Sequence, residues 1–93
     1  MIKTFRDKRT AGVFARESVP RLSHEAYRKS LRKLLLLDAS EKLEDLRVPP
    51  GNQLEKLSGD RKGRYSIRID GQWRLCFRWE EGDAYEVEIV DYH

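Results

Sequence analysis

The sequence has 93 residues, of which 39% are hydrophobic and 38% are charged. This length suits one modest hydrophobic core, so we expect residues 1–93 to form a single domain, and the apolar fraction is too high for a disordered chain. One cysteine, Cys76, excludes an internal disulfide. The longest aliphatic run is four leucines at 34–37, which predicts a cytoplasmic protein without a signal peptide or membrane span.

The positive charge is concentrated in the first part of the chain. Residues 1–40 contain ten Lys/Arg and four Asp/Glu, whereas residues 41–93 contain nine and twelve, for a net charge of +3 overall. Such a basic half suits a polyanionic partner, because phosphate contacts supply most sequence-independent affinity for nucleic acids. A solvated helix face explains the same pattern equally well.

The first part of the chain predicts a short strand and two helices. "IKTF" reads as a strand and "TAGVFARES" as a helical turn, followed by a main helix in "LSHEAYRKSLRKLLLLDAS". Ser23 is its expected N-cap, and its apolar face should comprise Tyr27, Leu31, Leu34 and Leu35, with basic residues outside. Residues 43–64 contain Pro49, Pro50 and several glycines and predict a loop, with a possible strand at "QLEKL".

From residue 64 the apolar residues alternate with a period of two, which predicts three strands of an antiparallel meander. Asp70-Gly71 and "EEGDA" are the expected turns. The core face should carry Tyr65, Ile67, Ile69, Trp73, Leu75, Phe77, Trp79, Tyr85, Val87 and Ile89. The opposite face should carry Arg64, Arg68, Arg74, Arg78, Glu86 and Glu88. The expected fold class is therefore α+β, with N-terminal helices packed on a twisted antiparallel sheet that ends in a β-meander.

The candidate chemistry lies in the terminal "VEIVDYH". Motifs for nucleotide, zinc and serine-hydrolase sites are missing, and two histidines make a zinc site improbable, so we expect no metal and no cofactor. Cleavage of RNA by its own 2′-hydroxyl needs proton transfer and cations against the transition-state charge. His93 suits the proton transfer, with Asp91 to orient it and Tyr92 to donate a hydrogen bond or stack on a base. Phosphate could be held by Arg74, Lys56, Arg61, Lys62 and Arg64. A solvated strand end is the simpler alternative for this tail.

The block "LRVPPGNQLEKLSGDRKGRYSIRIDGQWRLCFRW", followed by "DAYEVEIVDYH", resembles HigB toxins of the RelE/ParE superfamily of type II toxin–antitoxin systems. The resemblance extends from "MIKTFRDK" to the last residue and implies a RelE/ParE-like fold. It also implies a metal-free, ribosome-dependent endonuclease that cuts messenger RNA in the A site by 2′-hydroxyl attack. The family's terminal acid, aromatic residue and histidine correspond to Asp91, Tyr92 and His93, and its sheet arginine corresponds to Arg74.

The resemblance further implies a helix-turn-helix antitoxin of the HigA type and operator DNA bound through the toxin–antitoxin complex. Two features depart from the family pattern. Some HigB proteins have a catalytic lysine where this chain has Ser58, with Lys56 two residues upstream. Strict alternation also puts Asp91 and His93 on the core side, so the strand must end, twist or bulge near Val90 if they are to meet Arg74.

Two other functions remain open at this point. Superfamily members of the ParE type resemble this fold but inhibit DNA gyrase without a catalytic histidine. A non-catalytic module that binds only antitoxin and operator would explain the absence of the lysine at Ser58.

Overall fold

In a computed structural model that describes residues 1–59 and 63–91, two helices pack on one face of a four-stranded antiparallel sheet. Helices α1 and α2 span Lys8–Phe14 and His24–Ala39. Strands β1 to β4 span Glu55–Lys56, Arg64–Arg68, Trp73–Glu80 and Asp83–Asp91, and they lie in the sheet in that order. The predicted α+β class and the meander are confirmed.

Helix α2 begins where its capping residue predicts. The Ser23 hydroxyl accepts a hydrogen bond from the Ala26 N–H at 3.1 Å, which satisfies one of the unpaired donors of the first turn. The buried positions are Ala26, Ser30, Leu34 and Leu37. The assignment of Leu35 to the core face was wrong: its exposed fraction is 41%, because the sheet contacts the helix on the side of Leu34 and Leu37.

The N-terminal segment runs parallel to β4 along the free edge of the sheet. Ile2 and Phe5 form isolated bridges with Ala84 and Val87, so "IKTF" pairs as predicted without becoming a full strand. The following turn is fixed by Asp7, whose carboxylate accepts from the Thr10 N–H at 2.8 Å and caps α1. This segment therefore covers hydrogen-bonding groups that an edge strand would otherwise expose.

The segment predicted as a loop contains two short 3₁₀ helices, Leu43–Arg47 and Pro50–Asn52. Proline is compatible with the first position of such a turn because its missing N–H would have no partner there. Asn52 is fully buried, and its amide donates to the carbonyls of Leu46 and Val48 at 3.1 and 3.2 Å. These bonds hold the two turns together and place the next residue, Gln53, beside the sheet.

The β2–β3 connection lies at Asp70-Gly71 as predicted. The Asp70 carboxylate accepts from the backbone N–H groups of Gln72 and Trp73 at 2.8 and 2.9 Å, so the side chain holds the turn. The β3–β4 connection is a two-residue turn, with Glu81 and Gly82 at φ 50° and 83°. Positive φ at both positions matches the twist of a two-residue hairpin.

A β-bulge in β4 changes the predicted faces of the sheet. Cys76 pairs with Glu88 but Arg78 pairs with Tyr85, so β4 contains one extra residue between these pairs. Glu86 has φ 53°, and its N–H donates to the Thr4 hydroxyl at 2.8 Å. The placement of Tyr85 on the core face was therefore wrong. Ala84 is buried on that face instead, and Tyr85 lies opposite it with the Arg78 guanidinium 4.6 Å from its ring centre.

The core lies between the two helices and the face of the sheet that they cover. Its buried members come from both helices, the first 3₁₀ turn and strands β2 to β4, and they are Val13, Leu34, Leu37, Leu46, Ile67, Ile69, Leu75, Phe77, Ala84, Val87 and Ile89. Cys76 is buried as expected, but its pairing with Ser66 and Glu88 places it on the sheet face away from the helices. Within the described residues no helix is long and apolar enough to cross a membrane.

Candidate active site

Arg74 is the most buried of the predicted site residues that the structure describes. It lies on β3 on the face away from the helices and is 6% exposed. Its Nε donates to the Ser66 hydroxyl at 2.9 Å, and one terminal nitrogen donates to the carbonyls of Gln53 and Ser66 at 2.6 and 3.2 Å. The same nitrogen lies 3.3 Å from the Glu55 carboxylate. These contacts fix the orientation of the guanidinium and compensate for its removal from water.

A small cavity opens beside this guanidinium. Its volume is about 170 Å³, and its lining includes Arg68 and Gln72 as well as Arg74. The rest of the lining consists of Gln53, Asp70 and Gly71. Two of the three charged side chains are cationic, and the Asp70 carboxylate already accepts two backbone hydrogen bonds. The cavity is thus a polar, net positive site suited to an anionic group.

Asp91 lies next to this cavity but on the other face of the sheet. It is exposed and pairs with Trp73, whereas Arg74 pairs with Val90. Residues directly opposite in an antiparallel pair share a face, so regular pairing at this end separates Asp91 from Arg74. The pairing is regular at Val90, and the bulge in β4 lies at Glu86 instead. Gln72 connects the two sides, because its amide donates to the Asp91 carboxylate at 3.2 Å and also lines the cavity.

The remaining predicted residues differ in how the structure places them. Lys56 is exposed on β1 opposite Tyr65, which puts it on the sheet face away from Arg74. Its neighbour Glu55 pairs with Ser66 and takes the Arg74 side. Arg64 lies on the Arg74 face with its side chain 14% exposed, 3.1 Å from the Glu86 carboxylate. Arg61, Lys62, Tyr92 and His93 lie outside the described residues. Ser58 is exposed.

Sequence analysis did not identify Ser66, Gln53, Arg68 or Gln72 as parts of this site. The hairpin at Asp70-Gly71 carried a usable signal for two of them, because its register pairs Arg68 with Arg74 and brings Ser66 within reach of that arginine. Gln53 contributes its backbone carbonyl and Gln72 its side-chain amide. Both residues lie outside the helices and strands, where no spacing pattern marks them. Within residues 1–59 and 63–91, no group of three or more His, Cys, Asp or Glu side chains converges as a metal site would need.

The arrangement of a two-helix layer on a four-stranded antiparallel sheet is shared with a solved structure. The chain superimposes on a crystal structure of a YafQ mutant from E. coli with a TM-score of 0.65 and 13% identity, covering 98% of this chain and 91% of that one. At this identity the likeness shows the fold, which is RelE-like.

The family follows from the sequence comparisons. Residues 3–93 match the model of the HigB-like toxin family, described as RelE-like toxin of the type II toxin–antitoxin system HigB, and the chain belongs to this family. It is 41% identical to Toxin HigB-1 of Vibrio cholerae over 85 residues, which cover 90% of each chain. It is also 44% identical over 41 residues to the Endoribonuclease HigB of Proteus vulgaris, covering 44% of this chain and 45% of that protein. The predicted family is confirmed.

Proposed function

We propose that this chain is a ribosome-dependent endoribonuclease that cuts messenger RNA in the A site. The observation that carries the proposal is membership of the HigB-like toxin family over residues 3–93, which include the terminal Asp91-Tyr92-His93. The name of the Proteus vulgaris relative, an endoribonuclease, supports the same activity. Inhibition of translation then follows from loss of the message, and the site of action is the cytoplasm.

The proposed chemistry is attack of a 2′-hydroxyl on the adjacent phosphate, with release of the 5′-oxygen and no metal ion. His93 transfers the proton, because imidazole is the side chain that titrates near neutral pH without perturbation. Asp91 orients His93 or offsets its charge, and Tyr92 donates a hydrogen bond or stacks on a base. Hydrogen bonds fix the Arg74 guanidinium beside a net positive cavity that suits a phosphate group. This placement supports a role for Arg74 in stabilising the transition state.

The basic residues near the 58–64 loop have a supporting role in this proposal. Lys56, Arg61, Lys62 and Arg64 contact the RNA backbone. Arg61, Lys62 and Arg64 take over the role of the lysine that some HigB proteins have at the position of Ser58. Arg64 lies on the same face of the sheet as Arg74, which supports its part in phosphate contact. Lys56 contacts a different stretch of RNA, because β1 directs it to the opposite face.

The partner of the toxin is an antitoxin, since the family is defined by a type II toxin–antitoxin system. We assign it to the helix-turn-helix HigA type, which neutralises the toxin and carries it to operator DNA. The basic first forty residues would face ribosomal RNA in the active, antitoxin-free form.

The test is cleavage of a defined message by purified protein, with and without programmed ribosomes. His93→Gln should lower the cleavage rate at least about 100-fold, the lower range for loss of a general acid–base group. The matched control is His24→Gln, since His24 is the other histidine and is exposed at the start of α2. Equal cleavage by the wild type and His93→Gln would refute the proposed mechanism.

A second candidate is a non-catalytic module that binds antitoxin and operator DNA. It is favoured by Ser58 in place of the lysine and by the ion pair between Arg74 and Glu55, which offsets the charge of the guanidinium. Intact message with wild-type protein on ribosomes, together with tight operator binding by the antitoxin complex, would select this candidate. Supercoiling by DNA gyrase, measured in parallel, tests the ParE-type alternative.

A further inference from the structure

A second cationic site lies where α2 approaches the β2–β3 turn. It is a cavity of about 360 Å³ whose charged lining comprises Lys29, Arg32 and Lys33 from the helix, Arg68 from the sheet, and Asp70 from the turn. Lys29 and Lys33 are four residues apart and therefore share one side of α2, about 6 Å apart along its axis. Four cations face one carboxylate in this cavity.

The single carboxylate offsets only one of the four positive charges, and one of its oxygens also holds the turn. Asp70 Oδ1 accepts from the N–H groups of Gln72 and Trp73. Among residues 1–59 and 63–91, neither Arg32 nor Arg68 forms an ion pair, and Lys29 pairs only with the exposed Glu25.

The cations also raise the local positive potential. The pKa of Lys33 lies below its usual value, first because of burial and then because of the nearby charges of Arg32 and Arg68. The Lys33 ammonium donates to the Asn52 side-chain oxygen, a neutral partner that fixes its position without removing its charge. An anion bound in the cavity would relieve this repulsion.

The cavity lies next to the one beside Arg74. Arg68, Asp70 and Gly71 line both, so the two sites are separated only by the Arg68 side chain and the turn. Gly71 has no side chain, and the space beside it is open, since an added methyl group would meet only the Arg68 guanidinium at 3.9 Å. A chain-like anion that occupies the first cavity can therefore extend over the turn into the second.

We propose that the cavity formed by Lys29, Arg32, Lys33 and Arg68 binds the phosphodiester backbone of the same single RNA strand that occupies the Arg74 cavity. This inference rests on the proposed function for the occupant of the Arg74 cavity. The RNA strand crosses the turn at Gly71. Arg68 lines both cavities and therefore contacts the RNA in each of them. The second cavity positions the message, and its residues take no part in proton transfer.

Direct RNA binding tests this inference without ribosomes. The probe is a labelled single-stranded 12-nucleotide RNA with 2′-O-methyl riboses, which cannot be cut by 2′-hydroxyl attack, and its affinity is measured across a salt series. Arg32→Gln and Arg68→Gln should each weaken binding several-fold. Each should also reduce the slope of log K against log salt by about 0.7, the value for one neutralised phosphate on a single strand.

The matched control is Lys3→Gln, which removes one exposed positive charge from the segment along the opposite edge of the sheet. It should leave the slope unchanged. Equal weakening by Lys3→Gln would overturn the inference, as would unchanged RNA binding of the Arg32 and Arg68 variants.

A duplex RNA of the same composition provides a second arm, and preference of the cavity residues for the duplex would also contradict a single-stranded occupant. Loss of antitoxin affinity with RNA affinity intact would assign the cavity to the protein partner and refute the inference.

Failure of this inference can be told apart from failure of the proposed function. Ribosome-dependent cleavage by the wild type is measured separately and does not enter the binding assay. If the message stays uncut but RNA binding depends on the cavity residues, the proposed nuclease activity is refuted and the inferred RNA-binding cavity stands. If the message is cut but the cavity variants bind RNA as tightly as the wild type, the inferred RNA-binding cavity is refuted and the nuclease activity stands. Thermal denaturation of each variant ensures that folded protein is compared.

Discussion

Replacing Arg74 should destabilise the fold as well as remove a site residue. Arg74→Ala removes, among its contacts with residues 53–66, three hydrogen bonds and an ion pair at a position that is 6% exposed. Hydrogen bonds of a charged group contribute about 1.5 to 3 kcal/mol each, but Gln53 is exposed and Glu55 is half exposed, so water replaces part of the loss. We expect the free energy of unfolding to fall by about 3 kcal/mol, a large part of the total of about 5 to 14 kcal/mol for a chain of this length.

Urea denaturation measures this loss. With a slope of about 1.5 kcal/mol per molar, a loss of about 3 kcal/mol lowers the midpoint by about 2 M. Arg78→Ala is the matched control, because it removes an arginine from the same strand and face whose side chain is 34% exposed. Its surface contacts with Tyr85 and Glu80 should be worth about 1 kcal/mol or less. Equal midpoints for Arg74→Ala and the wild type would refute this view of the guanidinium as a structural centre.

The stability effect bears on how activity data are read. Loss of cleavage in Arg74→Ala can result from unfolding alone. Arg74→Lys retains the charge but cannot donate in the same fork geometry, so we expect a smaller loss of stability. Cleavage by this variant, measured where it is fully folded, separates a role in the transition state from a role in the fold.

Two further predictions concern the loop that carries Gln53 to the site. Asn52→Ala should lower the free energy of unfolding by about 3 kcal/mol in urea titrations, because two loop carbonyls and the Lys33 ammonium lose their buried partner. Asn52→Asp retains only the acceptor for Lys33 and should also destabilise the protein. A neutral effect of both variants would contradict the anchoring role of Asn52. Hydrogen bonds from the backbone N–H groups of Lys42 and Glu41 hold the pKa of Asp45 below its usual value. A lowered folded-state pKa means that the charged form favours folding above about pH 4 and that this contribution disappears as pH falls through the folded pKa. Asp45→Asn should therefore melt below the wild type at pH 7, with the difference shrinking by pH 3 in thermal denaturation, and a constant difference would show that the charge is not involved.

Much of the fold was predictable from local signals. The Ser23 cap predicted the start of α2, the period-two pattern predicted β2 to β4, and Asp70-Gly71 and "EEGDA" predicted the two turns. The face of α2 was less predictable, because the consecutive leucines at 34–37 leave several faces compatible with the pattern. Only contact with the sheet selects Leu37 over Leu35.

The bulge in β4 shows a second limit of the pattern. Alternation assigned Tyr85 to the core because it assumes an unbroken strand. Glu86 instead takes a positive φ, which its Thr4 partner and the neighbouring N-terminal segment stabilise from 82 residues away in sequence. Such long-range contacts leave no periodic trace in either segment.

The sequence by itself determined the family, the order of helices and strands, and the residue types available for chemistry at Arg74 and at the terminal Asp91-Tyr92-His93. Those features depend on local backbone preference, on alternation and on motifs, all of which lie within short stretches. The tertiary structure decided that Ser66, Gln53 and Glu55 hold Arg74 and that Gln72 links Asp91 to the Arg74 cavity. It also decided that Arg68 joins this cavity to the basic side of α2. These relations join turns and strands far apart in the chain, and their geometry exists only once the core has fixed how the sheet twists and where the loops cross it.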